Sequence, residues 1–187
     1  MIEVDVNQRH ALVIGGTGML AEVSRWLADT SFTVSVIGRT SEKHRKLIGS
    51  AANPQSIDCL VVDYNDHPSL QRNIIQAINK NGPISLVISW THSLEALEVV
   101  KTLLSQQKKK WKLVQIKGSR SYFEKDDSLF PTNCQHRTIY LGFIVEINQS
   151  RWLSNKEIAE GVIKNIKEDK VESIVGTLQP YEKRPRI

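Results

Sequence analysis

The side chains of this chain that could hold an anion or move a proton sit in short clusters, most of them where an apolar run ends. The first is Gly15-Gly16-Thr17-Gly18-Met19-Leu20, a glycine turn between the apolar run Ala11–Ile14 and a helical pattern. Arg39-Thr40-Ser41 follows a second run, Asp63-Tyr64 a third, and Trp90-Thr91-His92 a fourth; Ser119 and Tyr122 come after a fifth. Glycines in a strand-to-helix turn let backbone N–H groups approach a phosphate, with the positive end of the helix dipole behind them. An arginine next to hydroxyls makes a fork for another phosphate. An imidazole can exchange a proton around neutral pH.

These clusters need elements to position them. Short apolar runs rich in β-branched residues alternate with helical patterns along the chain. Strands are expected at Ala11–Gly15, Thr33–Gly38, Ile57–Val62, Ile84–Trp90, Leu113–Lys117, Thr138–Glu146 and Ser173–Thr177. Helices are expected near Met19–Asp29, Glu42–Ile48, Pro68–Asn81, Ser93–Gln107 and Asn155–Glu168. Alternation of this kind, with continuous apolar strands, implies a parallel sheet covered on both faces. Right-handed crossovers make it an α/β, three-layer, doubly wound Rossmann-type sheet of six or seven strands, in a single domain over 1–187. Asn81-Gly82-Pro83 should stop the third helix, and Ser154-Asn-Lys-Glu157 is a capping-box pattern at the start of the last. Ser119 to Arg137 shows no helical periodicity and reads as a long loop, with Cys134 inside it. Residues 140–152 are expected to form a hairpin or bulge with Asn148-Gln149 at the tip.

Composition narrows the class. At 187 residues, 40% hydrophobic and 24% charged, the chain is an ordinary soluble globular domain. It has no apolar run near the roughly 20 residues that span a bilayer. Met1-Ile-Glu-Val-Asp-Val6 is acidic and lacks the apolar core of a secretory leader. Two isolated cysteines, Cys59 and Cys134, point to a reducing, cytoplasmic setting. The net charge of +5 raises a nucleic-acid reading. Its densest run, Lys108-Lys-Lys-Trp-Lys112, falls where a helix should end and reads better as a solvated helix end, with no nucleic-acid module beside it. No metal site is expected: Cys134 and His136 make only two plausible ligands, where a structural zinc wants four.

In this context the glycine turn is read as a pyrophosphate site of a dinucleotide, formed by Gly15, Gly16, Thr17, Gly18, Met19 and Leu20. About 20 positions past the glycines an acidic residue would accept the ribose 2′-hydroxyl of NAD, whereas an arginine accommodates the 2′-phosphate of NADP. Here that place holds Arg39, followed by Thr40, Ser41 and Lys43, so NADP(H) is preferred over NAD(H). With Val62-Asp63-Tyr64 ending the third strand, the sequence from about residue 10 to Ser119 resembles the short-chain dehydrogenase/reductase superfamily. Gly15-Gly-Thr-Gly-Met-Leu-Ala21 is similar to the Gly-x-x-Gly-x-x-Gly/Ala turn of its extended and atypical branches. The resemblance implies that Asp63 and Tyr64 lie against the adenine, and that Trp90, Thr91 and His92 lie beneath the nicotinamide side.

Catalytic members of that superfamily carry a tyrosine, with a lysine four residues later, on a helix after the fifth strand. None of the four tyrosines here has that lysine, and only a loop follows the fifth strand. Ser119 matches the place of the family's serine. His92, at the carboxyl edge of the expected sheet, is the first candidate for proton transfer, the alternative being a hydrogen-bonding role at the start of the next helix. Tyr122 is a weaker candidate that also reads as a loop anchor, and Lys117 reads as a solvated strand end. Trp90 and Trp152 read as pocket shields or as core edge. Any substrate pocket should be small, open, or completed by a second copy of the chain. The basic tail from Tyr181 should be docked on a partner subunit or frayed. The expected function is NADPH-dependent reduction of a small carbonyl or enone, the alternative a non-catalytic dinucleotide-sensing regulator or binding subunit.

Overall fold

The computed structural model describes residues 9–186; the acidic segment Met1–Val6 lies outside the described residues. Seven strands form one parallel sheet: β1 (Arg9–Ile14), β2 (Phe32–Gly38), β3 (Ile57–Val61), β4 (Ile84–Ser89), β5 (Trp111–Gly118), β6 (Cys134–Leu141) and β9 (Glu172–Val175). Their order is β3-β2-β1-β4-β5-β6-β9. A separate antiparallel pair, β7 (Phe143–Val145) and β8 (Ser150–Trp152), is the expected hairpin around Asn148-Gln149. The strand order reverses between β1 and β4, and such a switch point opens a crevice at the carboxyl ends of the strands.

Alternate strand residues feed two cores. Ala11, Val13, Val34, Val36, Ile88 and Val114 pack against α1 (Ala21–Asp29) and α5 (Asn155–Glu168) through Val23, Leu27, Ile158 and Val162. Leu47 of α2 (Ser41–Gly49) joins that core. On the other face, Leu12, Ile14, Ile37, Val87 and Leu113 meet α3 (His67–Asn81) and α4 (Leu94–Ser105) through Leu70, Ile74, Leu97 and Val100. The helices α3 and α4 begin at polar caps: Asp66 accepts from Ser69 N, and Ser93 from Ala96 N. Ser154 and Glu157 form the capping box expected for α5. Among the described residues, no helix is long and apolar enough to cross a membrane. Lys108–Lys110 are exposed just past α4.

The second face changes character towards β6. There β5 and β6 present Gln115, Lys117, His136 and Thr138, which need polar partners rather than the apolar stripe of a helix. No helix among the described residues covers them. Ser119–Phe123 is a short 3₁₀ turn, and the chain to Asn133 is irregular. Asn133 pins its end by donating to Leu104 and Gln107 carbonyls (both 2.9 Å) and accepting from Trp111 Nε1 (3.2 Å). Phe130 stacks on His136 at 3.9 Å.

Two expectations are corrected here. Cys134–Arg137 is not loop but the start of β6, in parallel register with Trp111–Val114. The apolar pattern missed it because these polar residues are satisfied in place: His136 Nε2 bonds Gln115 Oε1 at 3.0 Å, and Arg137 Nε donates to Asp169 Oδ1 at 3.0 Å. The tail is not frayed but anchored on its own chain. Phe143 and Thr177 exchange two backbone hydrogen bonds of 2.9 Å, and Tyr181 packs on Phe123 with ring centroids 4.5 Å apart.

Candidate active site

Two clefts meet at Trp90, over the switch point. The first, of about 310 Å³, is lined by Gly15, Thr17, Gly18 and Met19 of the turn, by Gly38, Arg39, Thr40 and Lys43 at the end of β2 and start of α2, and by Tyr64. The second, of about 460 Å³, is lined by Trp90, Thr91 and His92 after β4, by Lys117 and Gly118 at the end of β5, and by Ser121 and the Glu124–Ser128 segment.

The glycines of the turn have separate jobs. Gly15 has φ +82°, and a Cβ there would stand 2.9 Å from the Trp90 carbonyl oxygen. Gly16 lies behind the cleft, in the core. A Cβ on it would meet Ser24 Oγ, Val13 and Val36 at 2.6 to 2.8 Å, so the close approach of α1 to the sheet happens here. Ser24 Oγ donates to the Gly16 carbonyl at 3.0 Å. A Cβ on Gly18 would meet open space, the arrangement a bound phosphate needs. Leu20 is fully buried under the turn, and Ala21 begins α1 beside that core.

Arg39 and Thr40 are exposed at the mouth of the first cleft, and Thr40 is the N-cap of α2 with no side-chain capping bond. Ser41 is the first residue of α2 and stands outside the lining. Two guanidinium or ammonium groups, Arg39 and Lys43, beside a helix N-terminus make this end strongly attractive to an anion. Tyr64 faces the cleft, whereas Asp63 is exposed in a turn where its Oδ1 accepts from Asn65 N at 2.9 Å.

In the second cleft His92 is exposed, and its ring meets Trp90 edge-on with centroids 5.3 Å apart. Thr91 Oγ1 accepts from Ser93 N (3.0 Å) and Ser93 Oγ caps α4, so the helix start is satisfied without His92. Lys117 is not a solvated strand end. Its side chain is 14% exposed and ion-paired with Asp126. That hydrogen bond, with another from Ser128, holds the Asp126 carboxyl far below the ordinary carboxylate range. Behind this wall burial, then the Lys117 charge, push the His136 imidazole down to about 4.

Ser119 and Tyr122 do not reach this cleft. Ser119 is buried, and Tyr122 packs edge-on against Tyr140 at 5.1 Å, the loop-anchor arrangement. Burial, then Glu172, raises the Tyr140 phenol. Cys134, half-buried at the head of β6, has its thiol pushed up to about 11 by burial. Among the described residues, no three His, Cys, Asp or Glu side chains gather as metal ligands. Trp90 forms the shared wall of both clefts; Trp152 is partly exposed on the hairpin, against Phe143. Sequence reasoning missed Gly38 and Asp126. A Cβ on Gly38 would lie 2.6 Å from Thr17 Oγ1, and a glycine ending a strand was the available signal. Asp126, in an irregular loop nine residues from its partner, had none.

Solved structures show what fold this is. The chain is similar to a short chain dehydrogenase from Bacillus anthracis str. 'Ames Ancestor' (TM-score 0.74, 14% identity, 95% of this chain and 99% of that one covered). It is also similar to the F189W actinorhodin polyketide ketoreductase with NADPH (TM-score 0.71, 12% identity, 91% and 97% covered). The glucose dehydrogenase of Caenorhabditis elegans in its apo form gives a TM-score of 0.69 at 11% identity, with 93% and 98% covered. No family model matches the chain, and no curated protein matches it in sequence. The chain has the fold of the short-chain dehydrogenase/reductases.

Proposed function

We propose that this protein binds a nicotinamide dinucleotide, the phosphorylated form in preference, and reduces a small carbonyl or enone. One observation carries the reading: the glycine turn and the Arg39–Lys43 anion site line one cleft that runs past Trp90 into the cleft of His92 and Lys117. The residues fit such a cofactor, because Gly15 takes the left-handed turn and the space over Gly18 is clear. One of the similar structures, the actinorhodin ketoreductase, holds NADPH.

In this reading the turn from Gly15 to Leu20 seats the pyrophosphate, and Arg39, Thr40 and Lys43 hold the 2′-phosphate. Tyr64 borders the adenine, with Asp63 fixing the turn behind it. The cofactor's contribution when bound is the hydride. His92 gives the proton to the substrate oxygen, and the Lys117 ammonium offsets negative charge as it develops there. Trp90 shields the junction of the clefts from water. A second reading, a non-catalytic dinucleotide-responsive subunit, is favoured by one feature: no tyrosine lines the second cleft.

Calorimetric titration with NADPH and NADH, repeated on Arg39→Ala protein, tests the cofactor. NADPH should bind at least tenfold tighter, and the substitution should remove most of the difference. Equal affinities in both proteins would overturn the 2′-phosphate assignment. NADPH oxidation over a panel of carbonyls and enones decides between reductase and sensor.

A further inference from the structure

A groove of about 990 Å³, larger than either cleft, lies on the other side of the Ser119–Phe123 turn. Ser121 faces the His92 cleft, Arg120 and Phe123 face the groove, and Glu124 borders both. Its walls also include Ser119, Trp152 of β8, and Tyr181, Arg184, Pro185 and Arg186 of the tail. This is a built surface. Gly142 leaves no room for a Cβ beside the Thr177 carbonyl, Leu178 is 3% exposed, and the paired Phe143 and Thr177 backbones lock the tail beside the hairpin.

Its chemistry is one-sided. Three guanidinium groups stand against a single lining carboxylate, Glu124, and Arg120 already pairs with that one at 3.4 Å. The Arg184 Cζ lies over the Tyr181 ring, 4.5 Å from its centroid, and neither Arg184 nor Arg186 is ion-paired among the described residues. Planar guanidiniums held against aromatic rings recognise an oxyanion by paired N–H donors, while the rings accept an apolar or planar body.

We propose that this groove is a subsite for the anionic group, a carboxylate or a phosphate, of an extended small molecule with an aromatic or similarly planar body. The subsite rests on the reductase reading only where it makes that molecule the substrate, its carbonyl lying by His92 and its anion by Arg184 and Arg186. Interleaved arginines and aromatics also occur where single-stranded nucleic acid stacks. The groove favours a small molecule because Glu124 lines it and the His92 cleft alike, so that one ligand can reach both.

The test uses the full chain and three probes matched in size: phenyl phosphate, benzoate and neutral benzamide. Calorimetry should show one of the two anions binding at least tenfold tighter than benzamide, the tighter of them naming the group. Arg184→Gln and Arg186→Gln should each weaken it about tenfold, with thermal unfolding midpoints unchanged. Trp152 fluorescence, assigned through Trp152→Phe protein, should report the same titration. Benzamide binding as tightly as both anions, or wild-type affinity in both arginine variants, would overturn the subsite. So would displacement of the bound anion by a single-stranded decanucleotide at lower concentration. As the substrate end of the reductase, the groove should also raise KM for keto acids, and not for their amides, in Arg184→Gln. Anion binding without NADPH oxidation would leave the subsite standing and remove the reductase reading. Reduction of neutral carbonyls with no anion binding would do the reverse.

Discussion

Gly15 and Trp90 meet across the switch point of the sheet: a Cβ on Gly15 would stand 2.9 Å from the Trp90 carbonyl oxygen, and Gly15 itself sits at φ +82°. The contact joins the glycine turn of the first cleft to the wall it shares with the His92 cleft. It predicts a graded response along the turn. Gly15→Ala combines backbone strain with a steric contact and should lower stability by about 1–3 kcal/mol. Gly16→Ala should cost a similar amount, about 1–3 kcal/mol, through overpacking against Val13, Val36 and Ser24. Gly18→Ala faces open space and should stay within roughly 0.5 kcal/mol, yet weaken NADPH binding. Urea unfolding and NADPH titration of the three variants check the order; a Gly18 variant as unstable as the Gly16 one would contradict it.

His92→Ala should leave NADPH affinity within about twofold and lower turnover by about 10²- to 10⁴-fold, the usual worth of a positioned proton donor. Steady-state kinetics against pH, on the best substrate of the carbonyl panel, measures it. Full turnover in the variant would remove His92 from proton transfer.

The Lys117–Asp126 pair is neither surface nor deep core, with 14% and 35% of the side chains exposed. Asp126→Asn leaves a mostly covered ammonium without its counter-charge and should cost about 1–3 kcal/mol, between the exposed and the buried limits. Lys117→Met in the same background should recover part of that loss. A double-mutant cycle by chemical denaturation reads the coupling, and strict additivity would show that the pair contributes nothing.

His10 is buried and His136 half-buried, and both have their ring pKa values lowered, His136 to about 4, in each case chiefly by desolvation. The unfolded chain therefore binds more protons than the folded one between about pH 4 and the ordinary histidine range near 6.5. Stability is complete above that range and declines as pH falls through it. Thermal unfolding followed by circular dichroism between pH 4.5 and 7 should show the decline. His136→Gln should make it shallower without abolishing it, because His10 remains, bonded to the Gly82 carbonyl and Ser35 Oγ. An unchanged slope in the variant would exclude His136 as a source.

Much of the fold was legible because its signals are local. Apolar runs with helical segments between them located the strands and helices to within a few residues, and the capping box at Ser154–Glu157 marked the start of α5 to the residue. The half-polar start of β6 was not legible, since Gln115 and Asp169, which satisfy His136 and Arg137, are 21 and 32 residues away from them. The turn residues Gly15, Thr17, Gly18 and Met19 and the Arg39–Thr40 pair were likewise readable as cleft-facing, because strand ends in this topology share one edge.

The sequence by itself determined the alternation of strands and helices, the left-handed turn at Gly15 and the placing of an arginine at the end of β2, all consequences of backbone preference and local period. Only the tertiary structure decided which clusters meet. Parallel register put Lys117 and His136 on one polar face, the irregular loop brought Asp126 to that lysine, Tyr122 turned onto Tyr140 instead of into the cleft, and the tail carried Arg184 and Arg186 to Phe123 and Trp152. Contacts of that kind depend on how crossovers and loops return across the sheet, and no spacing along the chain encodes them.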